Sequence, residues 1–177
     1  MENEKYVWYV CYGSNLAIER LYCYFNGRSS ERVHIKKGYL CPFCPNPNFE
    51  NRPYDLPYSI YFANTAGCSS NWGNTGVAFL DDQKPGFAYG RAYKMSKECY
   101  EWLHRKEGTG DDWYNKEISL GHMDDGCEIL TFTNIKRLLD KEPCNDYFDV
   151  IKTGLLEMGV EESKINEYFA NLLQQQK

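Results

Sequence analysis

Five consecutive apolar, β-prone residues, Val7-Trp8-Tyr9-Val10-Cys11, run into Tyr12-Gly13-Ser14-Asn15-Leu16 and then into a helical pattern. A strand without polar alternation predicts burial on both faces. Gly13 punctuates the run. Ser14 and Asn15 are good helix N-cap residues, and Ile18, Leu21, Tyr22 and Phe25 then repeat at i, i+3, i+4 and i+7. The predicted unit is a buried strand, a tight turn and a helix. Several backbone N–H groups would converge at the positive end of a helix dipole, a geometry that favours a carboxylate or a phosphate. From these residues alone, an ordinary turn with no ligand serves equally well.

The rest of the chain shows what surrounds that strand. Its 177 residues suffice for one domain with a real core. A hydrophobic content of 42%, with 15 Tyr, marks a globular chain and not a disordered one. The net charge of −5, with no basic run, argues against a nucleic-acid partner. The apolar stretches are too short to span a bilayer, and the opening Met-Glu-Asn-Glu-Lys lacks the apolar core of a signal peptide. The eight Cys are scattered, and Cys11, Cys23, Cys99 and Cys127 sit inside apolar patterns. They read as buried free thiols of a cytoplasmic protein.

Strands are predicted over Arg32–Leu40, Tyr58–Asn64, Thr75–Leu80, Phe87–Met95, Tyr114–Leu120 and Cys127–Thr133. Residues 41–57 hold five of the seven prolines, at 42, 45, 47, 53 and 57, and predict a long surface excursion. In Phe87–Met95 the residues Ala88, Gly90 and Ala92 make a face of small side chains, as inside a small barrel. Ser96 is predicted to cap a helix that ends at Gly108. Two more helical stripes follow, one of Tyr147, Ile151, Leu155 and Met158, the other of Ile165, Tyr168, Phe169, Leu172 and Leu173. Strands in the middle and helices toward the ends predict an α+β fold, a small mixed β-barrel or strongly curved sheet flanked by helices, in a single domain over 1–177.

Cys99, Leu103 and Glu107 are four apart, so Glu107 continues the apolar stripe of the Ser96–Glu107 helix. A carboxylate on that face, in the last helical turn, has two reasons for a raised pKa, burial and the helix dipole. A raised pKa suits a general acid/base near neutrality. A solvated Glu at an ordinary Lys-Glu-Gly helix end is the competing reading. Cys41-Pro-Phe-Cys44 has redox spacing, but Pro45 and Pro47 prevent the helix that would activate the first thiol, and a zinc site would lack a second CxxC even if Cys68 joined. No metal site is therefore expected. His34, His104 and His122 have no evident partners, and His104, beside Arg105, is predicted to be a surface residue.

The combination resembles the gamma-glutamylcyclotransferase family: a strand ending in YGSNL, a helix ending in Glu-Gly, and a Tyr-bearing strand beyond it. SSNWGNTGVAFL, GFAYGRAYKMS, EWLHRKEG and WYNKEISL follow in that family's order, and PCNDYFDVIKTGLLEMGV is similar to its C-terminal helix. The chain departs at about 41–57, which reads as an insertion. It also departs at Pro143-Cys144, where Asn145 is expected to take over capping.

The resemblance implies a cofactor-independent carbon–nitrogen lyase acting on a small-molecule gamma-glutamyl substrate, without a membrane or nucleic-acid partner and compatible with a homodimer; the form YGSNL, as against YGTL, is more similar to the enzymes acting on gamma-glutamyl amino acids or peptides than to those acting on gamma-glutamyl amines. The substrate's α-amine would attack its own γ-amide carbonyl, giving 5-oxoproline and a free amine. Carried over residue by residue, Glu107 would be base and then acid. The turn Tyr12, Gly13, Ser14, Asn15 and Leu16 would bind substrate, its N–H groups holding either the α-carboxylate or the developing oxyanion. Tyr114 would donate a hydrogen bond to substrate or to Glu107. Two other readings stand beside this one: a non-catalytic ligand-binding protein on the same fold, and removal of a gamma-glutamyl protecting group in a biosynthetic pathway, with the insertion setting the choice of substrate.

Overall fold

The computed structural model of the protein describes residues 5–64 and 72–176. Five strands and four helices follow in the order β1 (Tyr6–Cys11), α1 (Ile18–Asn26), β2 (Asn51–Ala63), β3 (Val77–Ser96), α2 (Lys97–Glu107), β4 (Lys116–His122), β5 (Glu128–Thr133), α3 (Asn145–Glu157) and α4 (Glu162–Gln175). The strands form one sheet in the order β2-β3-β1-β5-β4. The apolar run of β1 lies at its centre, antiparallel to β3 with Tyr9 opposite Tyr93, and parallel to β5 with Trp8 opposite Ile129. All of Val7 to Cys11 is buried, as an uninterrupted apolar strand requires.

The sheet is strongly curled. Past the end of β1, the first half of β3 swings across to β5, where the Thr133 hydroxyl accepts the Leu80 N–H at 3.1 Å and donates to the Leu80 carbonyl at 2.7 Å. The Tyr114 hydroxyl donates to the neighbouring Ala78 carbonyl at 2.9 Å. The result is a mixed half-barrel with helices against it, the α+β architecture expected. Ala88, Gly90 and Ala92 lie buried along β3 as expected.

Several local expectations are overturned. Thr75–Leu80 and Phe87–Met95 are not two strands: residues 77–96 run as one bent strand through Asp81–Gly86. The proline-rich excursion stops short, because residues 51–57 are already β2 and pair with β3. β2 is an edge strand, so Pro53 and Pro57 can turn their missing donors outward, and register shifts between Leu56 and Ser59 absorb the irregularity. Arg32–Leu40 is not a strand. It is a turn-rich segment with isolated bridges Ser30–Ile35 and Asn26–Leu40, and His34 has a φ of 50°. Its backbone is held by a side chain instead, since Arg20 donates to the Val33 and His34 carbonyls at 2.7 and 2.8 Å.

The caps differ as well. Ser96 does cap α2, accepting the Cys99 N–H. Neither Ser14 nor Asn15 caps α1, because Ser14–Leu16 is a short 3₁₀ turn of its own and α1 begins only at Ile18. Asn145 does not cap α3, whose cap residue is Cys144, with no side-chain bond. α3 packs its backbone directly on the turn: a Cβ on Gly154 would lie 2.3 Å from the Leu16 carbonyl carbon. Among the described residues no helix is long and apolar enough to cross a membrane.

Candidate active site

The chain makes an abrupt turn where β1 leaves the sheet. Leu16 N–H bonds to the Gly13 carbonyl at 3.0 Å, which closes Gly13–Leu16 into one tight loop. The rear of this loop is tied down. Arg91 on β3 donates to the Leu16 carbonyl at 2.8 Å and to the Glu157 carboxylate at 2.7 Å. The same carboxylate accepts the Ile18 N–H, the first of α1, at 3.0 Å. The positive end of the α1 dipole is therefore occupied by the protein's own Glu157. The expectation that a ligand anion sits there is corrected accordingly.

The front of the loop faces α2. Asn15 Nδ2 donates to Glu107 Oε1 at 2.7 Å, joining residues far apart in sequence. Glu107 emerges in the last turn of α2 on the stripe of buried Cys99 and Leu103, as its spacing predicted. Burial raises its carboxyl pKa above the usual glutamate range, opposed by the Asn15 hydrogen bond and by the positive charge of Arg20.

Two connected hollows meet at Glu107. The inner one, about 40 Å³, is lined by Tyr9, Tyr12, Gly13, Ser14 and Asn15 on one side and by Glu107 and Tyr114 on the other. The outer one, about 260 Å³, adds Arg20, Trp72, Lys106 and Trp113. Ser14, Glu107, Tyr114 and Tyr147 belong to both. The structure thus gathers Tyr12, Gly13, Ser14, Asn15, Glu107 and Tyr114 around one cavity. It does not gather Leu16, which is fully buried with its carbonyl on Arg91. Tyr114 does not bond to Glu107, because its hydroxyl is given to Ala78. Tyr12 lines the inner wall while its hydroxyl donates to the Phe132 carbonyl at 2.7 Å.

Three residues have a part here that the sequence reading did not assign them. Tyr147, expected only as a core residue of α3, accepts the Ala78 N–H at 2.9 Å. It sits so close to the turn that a Cβ on Gly13 would be 2.7 Å from its hydroxyl, so a larger residue there would displace Tyr147. Burial pushes the Tyr147 pKa upward, which keeps it a neutral hydroxyl. Arg20 lies on the buried side of α1, with its guanidinium 4.5 Å from the centre of the Trp72 ring. The only available signal was a cation one residue before Leu21 and four before Tyr24, beside an apolar stripe. His104 is half-buried and not a surface residue. It stacks on Phe132 with ring centres 4.6 Å apart, and one ring nitrogen lies 2.5 Å from the Tyr114 carbonyl, which ties down the segment leading into β4.

No cluster of His, Cys, Asp and Glu among the described residues could hold a metal ion. Cys41 is buried and Cys44 half-buried, both as free thiols, and Cys68 lies outside the described residues.

The chain matches no family model, and no curated protein matches it in sequence. Solved structures do match. A gamma-glutamyl cyclotransferase superposes with a TM-score of 0.67 at 20% identity, over 92% of this chain and 86% of that one. The chain has the gamma-glutamyl cyclotransferase fold. An uncharacterised protein from Homo sapiens shares the fold with a TM-score of 0.65 at 22% identity, over 92% of this chain and 86% of its own. YkqA from Bacillus subtilis gives 0.61 at 15% identity over 94% of this chain, which corresponds to 54% of YkqA. On the gamma-glutamyl cyclotransferase fold, the cavity described above opens at the end of the central strand.

Proposed function

We propose that the protein cyclises the gamma-glutamyl part of a small substrate to 5-oxoproline and releases the attached amine. The observation that carries this reading is the Glu107 carboxylate, oriented by Asn15 at 2.7 Å across a cavity from the turn. A ligand-binding protein has no need of a carboxylate held at the cost of burial and a helix C-terminus.

The reaction requires few groups. The substrate's α-ammonium, with an ordinary pKa of about 8, gives a proton to Glu107. The amine attacks the γ-carbonyl carbon, and the new carbon–nitrogen bond closes a five-membered ring. Glu107 passes its proton to the departing nitrogen as the tetrahedral oxyanion collapses and the original carbon–nitrogen bond breaks; the ring nitrogen, which still carries two hydrogens, loses one of them through Glu107 to the freed amine, so that 5-oxoproline and an ammonium leave and Glu107 is ionised again. Both reacting groups belong to one molecule, so folding it into a small hollow supplies much of the acceleration.

Tyr147 has its oxygen engaged by the Ala78 N–H, which leaves its own hydrogen for a substrate oxygen. Together with the backbone N–H groups of residues 13–15, it forms a donor set for the oxyanion or the α-carboxylate. The reaction needs no cofactor, and the free thiols fit a cytoplasmic setting. Incubation with a panel of gamma-glutamyl compounds, followed by assay of 5-oxoproline, tests the reading. Absence of 5-oxoproline from every member would overturn it.

A further inference from the structure

The backbone of Ala78 gives the two tyrosines of the cavity opposite polarity. The Tyr147 hydroxyl accepts the Ala78 N–H at 2.9 Å, which leaves its own hydrogen to donate. The Tyr114 hydroxyl donates to the Ala78 carbonyl at 2.9 Å. Its hydrogen is spent, and toward anything else its oxygen can only accept. The Tyr114 ring is held in place by a stack on Phe79, with centres 4.8 Å apart.

Asn15 carries a second acceptor. Its side-chain nitrogen donates to Glu107 Oε1 at 2.7 Å, and Asn15 is also the donor in a side-chain hydrogen bond to Tyr9. Its backbone carbonyl is held by the Tyr93 hydroxyl at 3.0 Å. A carboxylate only accepts, so the amide nitrogen belongs on the Glu107 side and the oxygen cannot change places with it. That oxygen, Oδ1, is buried without a hydrogen-bond partner, in a residue 7% exposed.

Asn15, Glu107 and Tyr114 all line the inner hollow. A carboxylate, an amide oxygen and a phenol oxygen are thus gathered there, and each of them accepts. A buried acceptor without a donor costs stability, and a buried carboxylate without a cation costs more. A ligand group with a positive charge and three hydrogens satisfies all of them together, and an ammonium has that chemistry.

We infer that Glu107, the Asn15 amide oxygen and the Tyr114 hydroxyl oxygen form a three-acceptor site for the substrate's α-ammonium, in which Tyr114 accepts and is not the donor that the family resemblance implied. This rests on the cyclisation reading for the ammonium being that of a gamma-glutamyl group. Tyr147 and the turn are then left for the substrate's oxygens.

The test uses gamma-glutamyl-alanine and glutaryl-alanine, which differ only in that the second lacks the α-ammonium. Calorimetric titration is done on Glu107→Gln protein, in which the substrate stays intact. Gamma-glutamyl-alanine should bind on the order of 10²-fold more tightly, because the analogue leaves the Asn15 and Tyr114 oxygens unmatched. Adding Tyr114→Phe should weaken gamma-glutamyl-alanine by about tenfold and glutaryl-alanine by about twofold at most.

A Tyr114 hydroxyl that serves only to hold the Ala78 carbonyl would weaken both compounds alike when removed, and that result overturns the inference. Equal affinities of the two compounds for Glu107→Gln protein overturn it too, and this comparison needs no change at Tyr114, so it stands even where Tyr114→Phe fails to fold. Wild-type turnover separates the two readings. Formation of 5-oxoproline with equal affinities keeps cyclisation and removes the ammonium site. The affinity difference without 5-oxoproline from any gamma-glutamyl compound keeps the ammonium site and removes cyclisation. If neither compound binds, the inference falls.

Discussion

Two arginine–glutamate combinations flank the turn at residues 14–16, and they are finished differently. Behind it, Arg91 and Glu157 meet at 2.7 Å, Arg91 also donates to Asn51 Oδ1 at 2.9 Å and to Leu16, and Glu157 also accepts the Ile18 N–H. In front of it, Arg20 and Glu107 make no ion pair. Glu107 is held on one oxygen by Asn15, while Asn15 Oδ1 and Arg20 Nε are buried with no partner. The same residue types thus serve two ends. The closed pair locks the loop to β3 and α3. The open pair leaves two hydrogen-bonding atoms without a partner among the described residues, on side chains that line the cavity. Protein interiors seldom leave polar atoms unmatched, so the unmatched ones mark where the fold is built for something other than itself.

Breaking each side should separate the two roles. The largest effect is expected at Glu107→Gln, which should lower kcat for 5-oxoproline formation by about 10²- to 10⁴-fold, with the circular dichroism spectrum unchanged. Near-full activity would remove Glu107 from the mechanism. Next comes Glu157→Ala, which leaves the Arg91 charge buried and alone. Urea denaturation should show a loss of about 3–5 kcal/mol, and a change under 1 kcal/mol would show that the rear pair is not what locks the turn. Tyr147→Phe should cost about 1–3 kcal/mol, because the Ala78 N–H loses its acceptor, and should also reduce kcat.

The smallest effects are in pH dependence. On the proposed cyclisation, activity requires ionised Glu107, so kcat/KM should rise with pH through a pKa held above the usual glutamate range by burial. Asn15→Ala removes the hydrogen bond that lowers this pKa, and the rising limb should move to higher pH. A limb that stays in place would show that Asn15 does not tune the acid. The sign for stability is the opposite of that for activity. A carboxyl with a raised pKa in the folded state binds its proton more tightly folded than unfolded. Its unfavourable contribution therefore begins as pH rises through the unfolded value of about 4.3 and is complete above the folded pKa. The stability of Glu107→Gln relative to the wild type should increase across that window and then level off.

What was legible in the sequence was local. The buried strand Val7–Cys11, the α2 helix between Ser96 and Gly108, and the inward face of Glu107 each follow from periodicity and capping over a few residues. What was not legible depends on a distant partner. Pro53 and Pro57 argue against a strand until one knows that β2 lies at the sheet edge. Residues 81–86, Asp-Asp-Gln-Lys-Pro-Gly, lie between the two predicted strands, yet the pairing of Asp81 with Ser59 and of Pro85 with Tyr58 ties both ends of that stretch to β2, with a register shift between. Ser14 and Asn15 look like caps by composition, but the 3₁₀ turn frees Asn15 to reach Glu107. Arg20 lies outside the α1 stripe that the periodicity picks out, Tyr147 lies on a stripe correctly read as core, and no spacing rule shows that either side chain borders a cavity.

The central strand has a further consequence for how the molecule comes together. β1 has no neighbour in sequence to pair with: its partners, β3 and β5, lie tens of residues later, and the cavity is completed only when Tyr147 of α3 reaches Ala78. Contacts this distant slow the search for the native state, so folding belongs in the range of milliseconds to seconds and not microseconds. During that time the most apolar strand of the chain, Val7–Cys11, is already made and still uncovered, which makes it the segment a folding chaperone would meet first.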